Sequence, residues 1–226
     1  MNLAQTIDHT LLKATATEAQ IKQLCQEAIQ YNFKTVCVPT CYVALAKEVL
    51  EGTGIGITTV VGFPLGNETP KTKAFQSKEA ILNGATDIDT VINVGALKEG
   101  RYDYVQSDIE EVVKAAKETK QDAIVKVIIE TCYLTKEEIA KATELVVLAG
   151  ADFVKTSTGF GTGGATLEDV KIMKEVAGDK IEVKASGGIS DAETAAAMIE
   201  AGATRLGVSK SIAIVTGEKV ATDGSY

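Results

Sequence analysis

Lys155, in Asp152-Phe-Val-Lys-Thr-Ser, and Lys184, in Ile181-Glu-Val-Lys-Ala-Ser, each sit near the end of an apolar, strand-like run. Lys126, in Ile124-Val-Lys-Val-Ile-Ile, precedes Lys155 by the same interval that separates Lys155 from Lys184, about one strand–helix unit. Burying an ammonium without a partner costs several kcal/mol, so amines in successive buried strands point to one shared, functional interior. A free lysine has a pKa near 10.4, which leaves only about one in 2,500 neutral at pH 7. A second ammonium about 6 Å away, at an effective dielectric of about 20, adds nearly 3 kcal/mol of repulsion, or about two pKa units. Desolvation pushes the same way. A lysine pair can thus make one member nucleophilic towards a carbonyl, and the imine so formed is an electron sink for breaking or making a carbon–carbon bond. The bland alternative is an outward-facing, solvated lysine, the commonest fate of that residue. Apolar neighbours at both parities of Phe153-Val154-Lys155-Thr156 oppose it, as does the recurrence in three strands. Lys126 also fits a role of neutralising nearby carboxylates.

Positioning such amines requires regular elements, and the chain supplies them in alternation. Residues 6–9, 35–38, 56–61, 87–93, 123–129, 152–156, 181–185 and 205–208 read as eight strands. Amphipathic helices lie between them. Residues 17–31 place Ile21, Leu24, Cys25, Ala28 and Ile29 on one face, and residues 103–119 do the same with Val105, Ile109, Val112, Val113 and Ala116. Thr17-x-x-Gln20, Thr135-x-x-Glu138 and Ser190-x-x-Glu193 predict capping boxes. Asn83-Gly84, Ala149-Gly150 and Ala201-Gly202 predict left-handed helix stops before the next strand. Strict βα alternation implies a parallel sheet covered by helices, and eight units in 226 residues predict one α/β domain, a single eight-stranded parallel (β/α)₈ TIM barrel over residues 1–226. A doubly wound open sheet is the alternative, but no Gly-x-Gly-x-x-Gly follows a strand.

Composition narrows the function classes. The chain is 45% hydrophobic and 24% charged, as ordinary soluble proteins are. A net charge of −8 argues against a nucleic-acid partner. No stretch has the length of a membrane span, and the N-terminus lacks a signal-peptide pattern. Cys25, Cys37, Cys41 and Cys132 form no Cys-x-x-Cys pair, which predicts reduced thiols in a cytoplasmic protein. His9 is the only histidine, so a His-built zinc centre is excluded and no metal or cofactor is expected.

In a barrel the carboxyl ends of the strands carry the active site. Those ends hold Asp8, Cys37, Asp89, Asn93, Lys126, Lys155 and Lys184. Gly187-Gly188 after the seventh strand and Gly207-Val-Ser209 at the eighth occupy the usual phosphate position of barrels. By itself Gly-Gly is as readily a plain turn. His9 beside Asp8 reads as a packing or solvent-facing residue rather than a general base. Cys37 reads as a core or near-site thiol, and Cys25 as core.

At Phe153-Val-Lys155-Thr-Ser-Thr-Gly-Phe and Val183-Lys184-Ala-Ser-Gly-Gly-Ile the chain closely resembles the deoxyribose-phosphate aldolases. The likeness extends through Ile7-Asp8-His-Thr-Leu-Leu-Lys, Val36-Cys37-Val-Pro, Val61-Gly-Phe-Pro-Leu-Gly, Asp87-Ile-Asp89-Thr-Val-Ile-Asn-Val-Gly-Ala-Leu and Lys126-Val-Ile-Ile-Glu-Thr. The resemblance implies a metal-independent class I aldolase that reversibly cleaves 2-deoxy-D-ribose 5-phosphate to D-glyceraldehyde 3-phosphate and acetaldehyde, in deoxyribose phosphate catabolism. It implies that Lys155 forms the Schiff base, that Lys184 lowers its pKa, that Asp89 moves protons through a water, and that Asp8 orders this network. Thr10 would contact the sugar, and Gly159, Ser186, Gly187, Gly188, Gly207 and Ser209 match phosphate-binding positions. Cys37 matches a site of damage by reactive aldehydes. Residues from about 217 to 226 match a mobile tail ending in a tyrosine, here Tyr226, that assists proton transfer. A homodimer is the expected assembly.

Two positions depart from the family pattern. Phe160 stands where some members carry a lysine, and Lys210, beside Ser209, stands where many carry Ser or Gly. Lys210 is therefore expected to supply the phosphate charge absent at position 160. Two other readings are compatible with these residues. One is a class I barrel lyase or transaldolase with a different sugar phosphate; the other is a non-catalytic sugar-phosphate-binding barrel.

Overall fold

The structure is a computed structural model that describes residues 2–217. Eight strands, β1 (Ile7–Thr10), β2 (Thr35–Val38), β3 (Gly56–Val61), β4 (Asp87–Val91), β5 (Ile124–Ile128), β6 (Phe153–Lys155), β7 (Glu182–Ser186) and β8 (Arg205–Val208), pair in parallel and in sequence order, with β8 closing on β1. The described helices are α1 (Glu18–Tyr31), α2 (Val43–Leu50), α3 (Pro70–Asn83), α4 (Val94–Lys98), α5 (Tyr102–Thr119), α6 (Lys136–Leu148), α7 (Leu167–Ala177), α8 (Ala192–Glu200) and α9 (Ser211–Thr216). The closed (β/α)₈ barrel expected from the alternation is the fold observed, and the open sheet is excluded.

Local chemistry sets the helix bounds. Thr17 accepts a hydrogen bond from Gln20 N, while Gln20 Oε1 accepts from Thr17 N at 3.0 Å. Thr135 and Glu138 make the same reciprocal pair at the start of α6. The box expected at Ser190 is displaced by one residue: Asp191 is the N-cap of α8, and its carboxylate accepts from Thr194 N at 2.8 Å. A carboxylate outcompetes a hydroxyl here because it also complements the positive end of the helix. Residues 92 and 93 do not extend β4, because Asn93 caps the short helix α4 by accepting from Ala96 N.

Two environments divide the strands. Side chains of one parity, among them Val36, Ile57, Ile88, Val125, Val127, Val154, Val183 and Leu206, are buried and pack with the apolar faces of the helices. The other parity meets inside the barrel and is largely polar: Asp8, Thr35, Thr58, Asp87, Asp89, Lys126, Lys155, Lys184 and Arg205 are all buried. Hydrogen bonds between strands that are not neighbours, such as Lys184 on β7 to Asp89 on β4, can run only through that interior. The floor of the site is thus a charge network where most barrels carry aliphatic layers. Among the described residues no helix is long and apolar enough to cross a membrane.

Candidate active site

Register brings the charged residues together. Asp89 lies opposite Lys126, and Lys155 lies opposite Lys184, which in turn faces Arg205. Asp89 Oδ2 is 2.8 Å from Lys155 Nζ and 2.7 Å from Lys184 Nζ, so the two nitrogens can be no farther apart than the sum of those distances. The other oxygen, Oδ1, is 3.0 Å from Lys126 Nζ. Lys184 also bonds Asp8 Oδ2 at 2.5 Å. Below them Lys126 pairs with Asp87 at 2.7 Å, and Arg205 bonds Asp8 Oδ1 at 2.9 Å. Thr35 Oγ1 donates to the same Asp8 oxygen at 2.8 Å.

The three lysines are buried alike, yet they differ chemically. Burial lowers the Lys155 amine, Asp89 opposes this, and repulsion from Lys184 lowers it further; the net displacement is below the ordinary lysine value. Repulsion from the partner lysine, the cause expected from the sequence, acts in the right direction but ranks behind desolvation. Burial also works against the charge of Lys184, but Asp8 and Asp89 outweigh it and hold that pKa above the ordinary value. Lys126 is raised likewise, since Asp87, Asp89 and Asp8 together outweigh its desolvation. Burial pulls both carboxyls upward, and neighbouring cations more than reverse this: Lys184, Lys126 and Arg205 at Asp8, and the three lysines at Asp89. Four cationic side chains face three carboxylates in this interior, and a neutral Lys155 leaves three of each. Lys155 is therefore the lysine of the three that gives up its proton most readily, and it contacts an ionised carboxylate, the pairing that imine formation and proton transfer require.

Thr10, Gly159, Ser186, Gly187, Gly188, Gly207, Ser209 and Lys210 gather at or just beyond the ends of the adjacent strands β6, β7, β8 and β1. Gly159, Gly187 and Gly188 have φ of +86°, +83° and +77°, which only glycine adopts readily. Gly207 has a role that spacing did not suggest: a Cβ there would lie 3.0 Å from Lys184 Cε, so its bareness makes room for the lysine. The Ser186 hydroxyl donates to Ser157 O at 2.6 Å, and that of Thr10 donates to Asp8 O at 2.8 Å. Cys37 is buried beside the network, and burial pushes its thiol up to about 11, so it stays protonated at neutral pH. His9 is buried rather than solvent-facing, bonded to Ser211 Oγ and Glu27 Oε2, each at 2.8 Å. Tyr226 and the segment 218–226 lie outside the described residues. Among the described residues no group of three or more His, Cys, Asp or Glu side chains is placed to hold a metal ion.

Asp87, Arg205 and Glu130 join the site beyond the residues expected from the sequence. Asp87 shares strand parity with Asp89, a signal that was legible. Arg205 opens β8, and only the register shows that it meets Asp8. Glu130, just past β5, accepts from Thr158 N at 3.1 Å and bonds the Thr158 hydroxyl, which ties down the loop that follows Lys155.

The DeoC/LacD family aldolase model matches residues 2–216. A deoxyribose-phosphate aldolase of Carboxydothermus hydrogenoformans is 60% identical over 215 residues, 95% of this chain and 94% of its own length. One of Clostridium novyi is 60% identical over 219 residues, 97% of each chain. The tetrameric structure of a deoxyribose phosphate aldolase from Aeropyrum pernix superposes with a TM-score of 0.88 at 31% identity, covering 95% of this chain and 90% of that one. This chain belongs to the DeoC/LacD aldolase family.

Proposed function

We propose that this enzyme, working as one barrel domain, catalyses the reversible aldol cleavage of 2-deoxy-D-ribose 5-phosphate to D-glyceraldehyde 3-phosphate and acetaldehyde. The observation that carries the proposal is Lys155: a buried amine with a depressed pKa, 2.8 Å from an ionised carboxylate. Similarity to relatives named deoxyribose-phosphate aldolase supplies the substrate. The small molecules it handles are sugar phosphates and aldehydes.

In the cleavage direction neutral Lys155 adds to the C1 aldehyde of the open-chain sugar, and uptake of one proton from solvent with loss of water gives a protonated imine. Asp89, acting through a water, accepts the proton of the C3 hydroxyl as the C2–C3 bond breaks. Its electron pair moves into the imine to form an enamine, and glyceraldehyde 3-phosphate leaves. Protonation at C2 and hydrolysis then release acetaldehyde and restore the amine. Lys184 stays charged between Asp8 and Asp89, keeping Lys155 deprotonated and Asp89 ionised. Backbone N–H groups around Gly159, Gly187 and Gly188, with Ser186, Gly207 and Ser209, hold the phosphate. Thr10 meets the sugar, and Lys210 adds the positive charge that Phe160 does not.

Lys155→Leu should lower cleavage of deoxyribose 5-phosphate by more than about 10³-fold while the barrel stays folded by circular dichroism. Near-normal turnover would refute the assignment. Lys210→Ala should raise KM about tenfold for the phosphorylated sugar but not for deoxyribose, as expected for one lost charge-assisted contact. An unchanged preference for the phosphate ester removes Lys210 from the site. A homodimer is the assembly proposed, on the exposed apolar side chains Phe75 and Leu82 of α3.

A further inference from the structure

Phe63 follows β3, Phe160 follows β6, and their rings meet edge to face with centroids 5.4 Å apart and planes at 87°. These strands are not neighbours, since β4 and β5 lie between them. A contact between their trailing loops therefore spans the mouth of the barrel over the sector that carries Asp89 and Lys126. Both loops are anchored. Gly62 N donates to Gln76 Oε1, and Gly66 N to Gly62 O, each at 2.8 Å. At Gly66 the chain lies so close to the end of β4 that a Cβ would fall 1.9 Å from Ile92 O. On the other side Phe160 N donates to Thr158 Oγ1 at 3.0 Å, and Thr158 is anchored to Glu130 through both its amide and its hydroxyl. Glu130 is a buried non-glycine residue at φ +53°, a costly conformation that its two bonds to this loop help to hold. Beyond Phe160 the loop continues through Gly161, Gly163 and Gly164. Phe160 is 47% exposed, whereas Lys155 beneath the mouth is 3% exposed.

We propose that Phe63 and Phe160 form a roof over the β4–β5 side of the mouth and act as a specificity-determining pair for the acceptor aldehyde. The inference rests on the aldolase reading above. An acceptor joined to an enamine on Lys155 can extend towards the β7–β8–β1 side, where Gly187, Gly188 and Lys210 lie. A bulky substituent on the opposite side meets the two rings. The same roof keeps water from that side of the imine until the carbon–carbon bond has formed. An edge-to-face pair is a modest interaction that adds to these loop anchors in holding the two rings together over the sector.

The test is aldol addition of acetaldehyde to glyceraldehyde 3-phosphate and to phenylacetaldehyde by the wild type, Phe63→Ala, Phe160→Ala, the double variant and Phe160→Leu. Each single alanine variant should raise kcat/KM for phenylacetaldehyde relative to glyceraldehyde 3-phosphate by about threefold to tenfold. The double variant should match the singles, because either truncation opens the same roof, and Phe160→Leu should return most of the discrimination. An unchanged ratio in both singles, or effects that multiply in the double, would overturn the proposal. Borohydride trapping of acetaldehyde in the same proteins separates the two levels. A Lys155 adduct in every protein with an unchanged ratio defeats the roof alone, and no adduct in the wild type defeats the aldolase reading together with the roof.

Discussion

Replacing Lys184 by leucine and Asp89 by asparagine should move one titration in opposite directions. Lys184 repels the protonated form of Lys155 and Asp89 attracts it. Losing Lys184 therefore raises the Lys155 pKa, and the low-pH limb of imine formation shifts to higher pH. Losing the Asp89 charge shifts it to lower pH, and turnover also falls by about 10²- to 10⁴-fold because the proton carrier is gone. The pH dependence of borohydride trapping reads both shifts, and shifts of one sign in both variants would contradict the electrostatic account. The same carboxylates set acid stability. Asp8 and Asp89 are held below the usual carboxylate value, so their contribution is fully present above the unfolded pKa near 3.9 and is lost as pH falls towards the folded values. The denaturant midpoint should drop between pH 6 and pH 3, and by less in Asp8→Asn than in the wild type.

At the scale of elements, α8 offers a one-residue test. Asp191→Ala should lower the urea midpoint, and Ser190→Ala much less, because Asp191 accepts from Thr194 N. The reverse order would restore the capping box read from Ser190 and Glu193. All eight strands and two of three capping boxes were legible in the sequence, because alternation, apolar periodicity and caps are local signals. So were Lys155, Lys184 and Asp89, which lie near strand ends in recognisable blocks. What was not legible depends on register around a closed barrel. Nothing local to Arg205 announces Asp8, and nothing near Gly207 announces that its missing Cβ admits Lys184. Of the two places open to His9, packing and solvent, the structure shows packing, and its partner Ser211 on α9 comes within reach only once β8 has closed on β1.

For the whole molecule, an interior that sets Asp8, Asp87 and Asp89 against Lys126, Lys184 and Arg205, with Lys155 displaced below the ordinary lysine value, explains why a barrel can carry so many charges where aliphatic layers are usual. Removing one partner leaves an uncompensated buried charge, which costs about 3–5 kcal/mol, so the network acts as a unit. On the outside, Phe75 and Leu82 stand 69% and 66% exposed, two turns apart on α3. Sedimentation should show a dimer that Phe75→Glu with Leu82→Glu dissociates; a wild type that remains monomeric at micromolar concentration would dismiss the proposed assembly. The central claim is that one buried lysine is chemically distinct from its two neighbours. Incubating the enzyme with acetaldehyde, reducing with borohydride and mapping the peptides by mass spectrometry tests it most directly. A single ethyl adduct on Lys155 is expected, with Lys126 and Lys184 unmodified; an adduct on Lys184 instead, or none on any lysine of the folded protein, would overturn the assignment of Lys155.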